Sequence, residues 1–126
     1  VAAKSGGKII LVGSMPYERL LYYLNASDVL TIAYENNEFT KVMFTPYKLM
    51  DFMAVEKPIV CSDVGEMRKM LGDDRLICKP GDAQDMADKI SIALKMKKIS
   101  YMGRLKEFTW EKLGEKLEKA ITALFR

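Results

Sequence analysis

Residues 45–65 read T-P-Y-K-L-M-D-F-M-A-V-E-K-P-I-V-C-S-D-V-G. The stretch parses into a loop, a short helix opened by Pro46, a buried strand Pro58–Cys61 and a Ser-Asp-x-Gly turn. The strand is apolar at successive positions, as a strand covered on both faces is. The helix carries Lys48 and, one turn on, Asp51. A helix N-terminus at the end of a sheet, bearing a cation and a carboxylate on its first turns, suits a phosphorylated ligand.

The same alternation runs outward on both sides. Upstream, K-I-I-L-V at Lys8–Val12 reads as a buried strand closed by Gly13 and Ser14. Pro16 opens a helix over Tyr17–Ala26, with Leu20, Leu21, Tyr23 and Leu24 at helical spacing. Val29–Tyr34 is a second buried strand, and Glu35–Thr45 a long polar connection suited to a functional loop. Downstream, Glu66–Leu71 is a short helix capped by Asp63 or the Gly65 turn, and Arg75–Lys79 a further strand. Asp82 caps a helix running to about Lys97, with Asp85 on its first turn. A short helix near Ser100–Glu107 follows, and Thr109 caps an amphipathic helix from Trp110 to Phe125 with a stripe of Leu113, Leu117, Ile121 and Leu124. The Trp110 ring reads as core packing ahead of a stacking platform.

Strands too apolar to face water, alternating with helices, predict an α/β fold: a Rossmann-like parallel sheet with helices on both faces. Ligands of such sheets bind at the carboxyl ends of the strands. The loops after Val12, Tyr34, Cys61 and Lys79 are then the candidate site. Gly13 and Gly65 serve tight turns there. A phosphoacceptor receiver domain is set aside, because its acids cluster at strand ends and Asp28 lies at a strand start.

The 126 residues suffice for one domain with a real core. Their 49% hydrophobic and 29% charged content is ordinary for a globular chain. No apolar run reaches the length of a membrane span, and no signal peptide is visible. The start lacks an initiating Met, which reads as a fragment or a processed chain. With no histidine, zinc sites and Ser-His or Cys-His nucleophile systems are excluded. Cys61 and Cys78 each end an apolar run and read as small buried hydrophobes. The net charge of +3 does not argue for nucleic acid. Lys95, Lys97, Lys98, Arg104 and Lys106 concentrate in the last third. They read either as a solvated helix face or as a contact for an anionic membrane or a phosphate-bearing acceptor.

Five phrases, in order, resemble the GT-B retaining glycosyltransferases of the group 1 family (GT4). Residues 45–65 are similar to its P-x-K-L-x-E-Y-M-A-x-G-K-P-V-V-x-T-D-x-G. K-I-I-L-V-G-S-M-P-Y-E-R-L, N-A-S-D-V-L-T-I-A-Y, R-L-I-C-K-P-G-D-A-Q-D-M-A-D-K-I and F-T-W-E-K-L resemble the other four. The resemblance covers Lys8 to the C-terminus. It implies a single Rossmann-like unit over 1–126, the later part of a GT-B C-terminal, donor-binding domain, with its closing helices at about 100–126. The family's first two βα units, with their basic phosphate-binding residues, precede the strand that matches Lys8–Val12.

The implied function is the nucleotide-sugar-binding part of a retaining glycosyltransferase, moving sugar from a nucleotide-sugar donor to a glycan or lipid-linked acceptor. The chain alone is expected to be inactive. The alternative is a non-catalytic module or the partner subunit of a split enzyme. The implied donor-binding residues are Asp51 (ribose), Lys48 (diphosphate), Tyr47, Thr45 and Gly13. The first acid of the family's E-x7-E motif falls at Met43, with Glu35 and Glu38 as substitutes. The resemblance implies no cofactor beyond the donor and no metal. Expected partners are the nucleotide sugar, an N-terminal domain or partner chain, and a peripheral membrane or lipid-linked acceptor, with no nucleic acid. The expected location is cytoplasmic, at the inner face of the membrane.

Overall fold

The computed structural model describes residues 5–42 and 47–125. Three parallel strands form its sheet, in the order β1 (Leu30–Ile32), β2 (Ile59–Ser62), β3 (Ile77–Cys78). Leu30 pairs with Ile59, Ile32 with Cys61, and Cys61 in turn with Ile77. All four residues of β2 are buried, so both of its faces are covered.

Helices supply the cover. α1 (Tyr17–Ala26) buries Leu24, and α3 (Tyr47–Ala54) buries Leu49 and Met53. α4 (Met67–Leu71) buries Met67, Met70 and Leu71, and α5 (Ala83–Ala93) buries Ala93. These side chains form one core with the strands, Val64, Leu76 and Tyr101. The Tyr101 hydroxyl lies beside the Ile59 amide without reaching hydrogen-bond geometry, and burial pushes its pKa up to about 12. Burial likewise holds the Cys61 thiol up at about 12, as suits a structural rather than a reactive cysteine.

Several expectations need correction. Lys8–Val12 forms no strand: Ile10 and Leu11 are each 80% exposed. A central strand needs hydrogen-bonding neighbours, and among the described residues β1 pairs only with β2 and leaves its other edge free. The connection after Tyr34 contains a helical turn, α2 (Glu38–Lys41), because Asn37 and Thr40 form a reciprocal capping box. Arg75–Lys79 is strand only at Ile77–Cys78, since Asp73 accepts from the Arg75 amide and winds Asp74–Leu76 into a 3-10 turn.

Asp63 does not cap α4. It binds Arg68, which also engages Asp74. α4 ends on Gly72 in the left-handed region (φ +67), beneath the Arg104 guanidinium, which donates to the Lys69 carbonyl at 3.1 Å. α5 stops at Ala93, short of Lys97. The short helix near 100–107 is α6 (Met102–Leu105) followed by a 3-10 turn, Lys106–Phe108. α7 (Trp110–Leu124) is capped by Thr109 as expected, yet it buries none of its residues. Trp110 is 78% exposed, so it is not core.

Candidate functional site

The carboxyl ends of the three strands open into a crevice of about 290 Å3, lined by Tyr34, Glu35, Ser62, Lys79 and Asp82 among others. Strand ends form a crevice because parallel strands deliver their loops to one side of the sheet. Ser62, at the end of β2, is buried and accepts a hydrogen bond from the Tyr34 amide at 3.0 Å. That bond ties the loops after β1 and β2 together. The wall after β3 is the Pro80-Gly81-Asp82 turn, with Gly81 at φ +75. Asp82 accepts from the Asp85 amide at 2.9 Å, and the Asp85 carboxylate accepts from the Lys79 amide at 2.7 Å. The N-terminus of α5 therefore holds carboxylates of its own chain.

α3 reaches this crevice through Tyr34, which lines it. Lys48, exposed on its first turn, places its Nζ 5.9 Å from the centroid of the Tyr34 ring, within cation–π range. Asp51 lies three residues on, on the same face of the helix. Its Oδ1 accepts a hydrogen bond from the Tyr17 hydroxyl at 2.9 Å. That bond, and the carboxylate charge behind it, raises the Tyr17 pKa. The contact links α3 to the first turn of α1, which follows the Gly13 loop (φ +72). The α3 face thus runs from Tyr17–Asp51 on one side to Lys48–Tyr34 and the crevice on the other.

The remaining candidates are placed as follows. Tyr47 is exposed on the first turn of α3. Glu35 is on the crevice rim, and its carbonyl accepts from the Thr40 hydroxyl at 2.6 Å. Glu38 lies on α2, fully in solvent and paired with Lys41 at 2.6 Å. Gly13 lines no part of the crevice. Thr45, Met43, Phe44 and Pro46 lie outside the described residues. Among the described residues, no three acids or cysteines gather as a metal site.

Sequence reasoning missed Tyr17 and Tyr34. Both carried a signal. Tyr17 opens the helix of the P-Y-E-R-L phrase, next to a strand-end loop. Tyr34 closes the apolar run V-L-T-I-A-Y, where a strand delivers its last side chain to the ligand side.

A parallel sheet covered on both faces, with a crevice at its strand ends, defines a Rossmann-like α/β domain. The chain belongs to the group 1 glycosyltransferases: the family described as Glycosyl transferases group 1 matches residues 1–96. No curated protein and no solved structure matches the chain.

Proposed function

We propose that the chain is the nucleotide-sugar-binding part of a retaining glycosyltransferase. The observation that carries this reading is the shared face of Lys48 and Asp51 on α3, beside the strand-end crevice. In this reading Asp51 accepts hydrogen bonds from the ribose hydroxyls through its Oδ2, while Tyr17 holds Oδ1. Lys48 neutralises charge on the diphosphate, supported by the N-terminal end of α3. Tyr47 lies on the first turn of α3, and the turn at Gly13 lies on the Tyr17 side. As the glycosidic bond breaks, negative charge grows on the diphosphate leaving group, and a fixed cation lowers the barrier by stabilising it. Glu35, on the rim, is the better placed of the two acids for work on the sugar. In this reading the sugar passes to a glycan or a lipid-linked acceptor.

Titration with a nucleoside diphosphate tests the assignment. Asp51→Ala should abolish most of the binding. Tyr17→Phe should weaken it about two- to ten-fold, the range of one hydrogen bond. Unchanged affinity in Asp51→Ala would remove the ribose role.

A second reading has its own observation. Among the described residues the Lys8–Val12 run is exposed and β1 has a free edge, as in a subunit of a split enzyme. Size-exclusion run alongside the titration separates the two: a monomer that binds no nucleotide, and does so only when joined by a partner, favours the split enzyme.

A further inference from the structure

Among the described residues two aliphatic hydroxyls are buried: Ser62, 2% exposed at the end of β2, and Thr40, 3% exposed on α2. Both act on one short segment, the loop that leaves β1 at the strand-end crevice. The Ser62 hydroxyl accepts from the Tyr34 amide at 3.0 Å. The Thr40 hydroxyl donates to the Glu35 carbonyl at 2.6 Å and accepts from the Asn37 amide at 2.9 Å. The Thr40 amide in turn donates to the Asn37 side chain at 3.0 Å. The loop is therefore fastened from two sides, to the core strand β2 through one hydroxyl and to α2 through the other.

A hydroxyl is costly to bury unless it is hydrogen-bonded, and both of these are bonded to the same four-residue stretch. That stretch carries the rim of the crevice, which Tyr34 and Glu35 line beside Ser62. Ser62 is committed within the protein: it also sits beside the Cys78 thiol, its register partner on β3. The Tyr34 ring lies 5.9 Å from the Lys48 Nζ. An ammonium drawn to a ring face follows the ring. Holding the Tyr34 backbone therefore also steers Lys48.

We propose that Ser62 and Thr40 are positioning residues. Together they clamp Tyr34 and Glu35 against the crevice before a ligand arrives, and through the Tyr34 ring they set the place of the Lys48 ammonium. The proposal rests on the donor reading of the crevice, in which Lys48 meets the diphosphate. A loop ordered in advance raises affinity, because binding then loses no entropy to order it. In the competing account the two hydroxyls serve stability alone, and a ligand at the crevice is indifferent to them.

Two readouts on the same variants separate the accounts: exchange of the Tyr34 amide with deuterated solvent, and titration with a nucleoside diphosphate. The unaltered chain should protect the Tyr34 amide. S62A should strip that protection and T40V, which keeps the shape of Thr40, should reduce it. Each should weaken nucleotide affinity about two- to ten-fold, the range of one hydrogen bond. T40S keeps the hydroxyl and should restore both readouts. A nucleoside diphosphate has no donor sugar for Glu35 to meet, so the effect must pass through Lys48. Adding T40V to K48Q should therefore cost no further affinity. S91A, which removes a hydroxyl bond to the Ala87 carbonyl on α5, should change neither readout. Fast Tyr34 exchange in the unaltered chain would overturn the proposal. So would T40V binding as tightly as the unaltered chain, or losses that add fully in K48Q/T40V. An unaltered chain that binds no nucleotide, with its Tyr34 amide slow and freed by S62A and T40V, would sink the donor reading and uphold the clamp.

Discussion

Asp51 and Glu56 lie five residues apart and show how differently two carboxylates can serve one segment. Asp51 takes a phenol hydrogen bond on one oxygen and, among the described residues, leaves the other open, which is what a ligand-facing acid needs. Glu56 is committed to Lys98 and Ser100, and those partners lower its pKa below the ordinary 4.5. A carboxyl whose pKa is lower folded than unfolded stabilises the fold above its unfolded value. That contribution fades as pH falls through the folded value. Thermal midpoints measured from about pH 6 down to about pH 3 should therefore drop on the acid side, and Glu56→Gln should flatten part of that drop. An acid limb unchanged in Glu56→Gln would mean the Lys98 contact contributes nothing. Asp73, lowered by Arg75, supplies a share that the variant leaves in place. The sequence made Asp51 legible because a phrase surrounds it. It left Glu56 silent, since neither a positive φ nor a partner forty-two residues on shows in local pattern.

At the scale of elements, what could be read depended on where each element finds its neighbours. The strand at Ile59–Ser62 and the helices flanking it were legible because burial on both faces forces a continuous apolar run. Lys8–Val12 has the same run and forms no strand. Apolarity marks a segment that wants cover, and pairing needs a backbone beside it. α7 repeats the lesson. Its stripe of Leu113, Leu117, Ile121 and Leu124 and its Thr109 cap specify a helix, while nothing in the pattern says what the stripe packs on. Among the described residues it stays open, a large apolar face of the kind that marks an interaction surface. Leu124→Glu should accordingly leave chemical-denaturation stability within about 0.5 kcal/mol of the unaltered chain, as for an exposed site. Leu24→Glu, at the buried side of α1, should unfold it. A large loss in Leu124→Glu would show that the α7 stripe is buried in solution.

Across the whole molecule the two ends of the sheet divide the chemistry. Strand ends carry the crevice, Tyr34 and the α3 face; strand starts carry a lysine cleft lined by Lys57, Lys97 and Lys98. The fold class and the side of the sheet that holds the crevice were legible, since both follow from alternating strands and helices. The lysine cleft was legible only in part: Lys97 and Lys98 stand in a basic cluster of the sequence, while Lys57 joins them only through the tertiary fold. The central claim is that a nucleotide binds at the strand ends along α3. Amide chemical shifts recorded while a nucleoside diphosphate is added test it most directly, because they report even weak binding at residue level. The account predicts shifts at Lys48, Asp51, Tyr17, Tyr34 and Lys79, with Lys57 and Lys97 unmoved. Shifts confined to Lys57, Lys97 and Lys98, or none along α3 at saturating nucleotide, would contradict it.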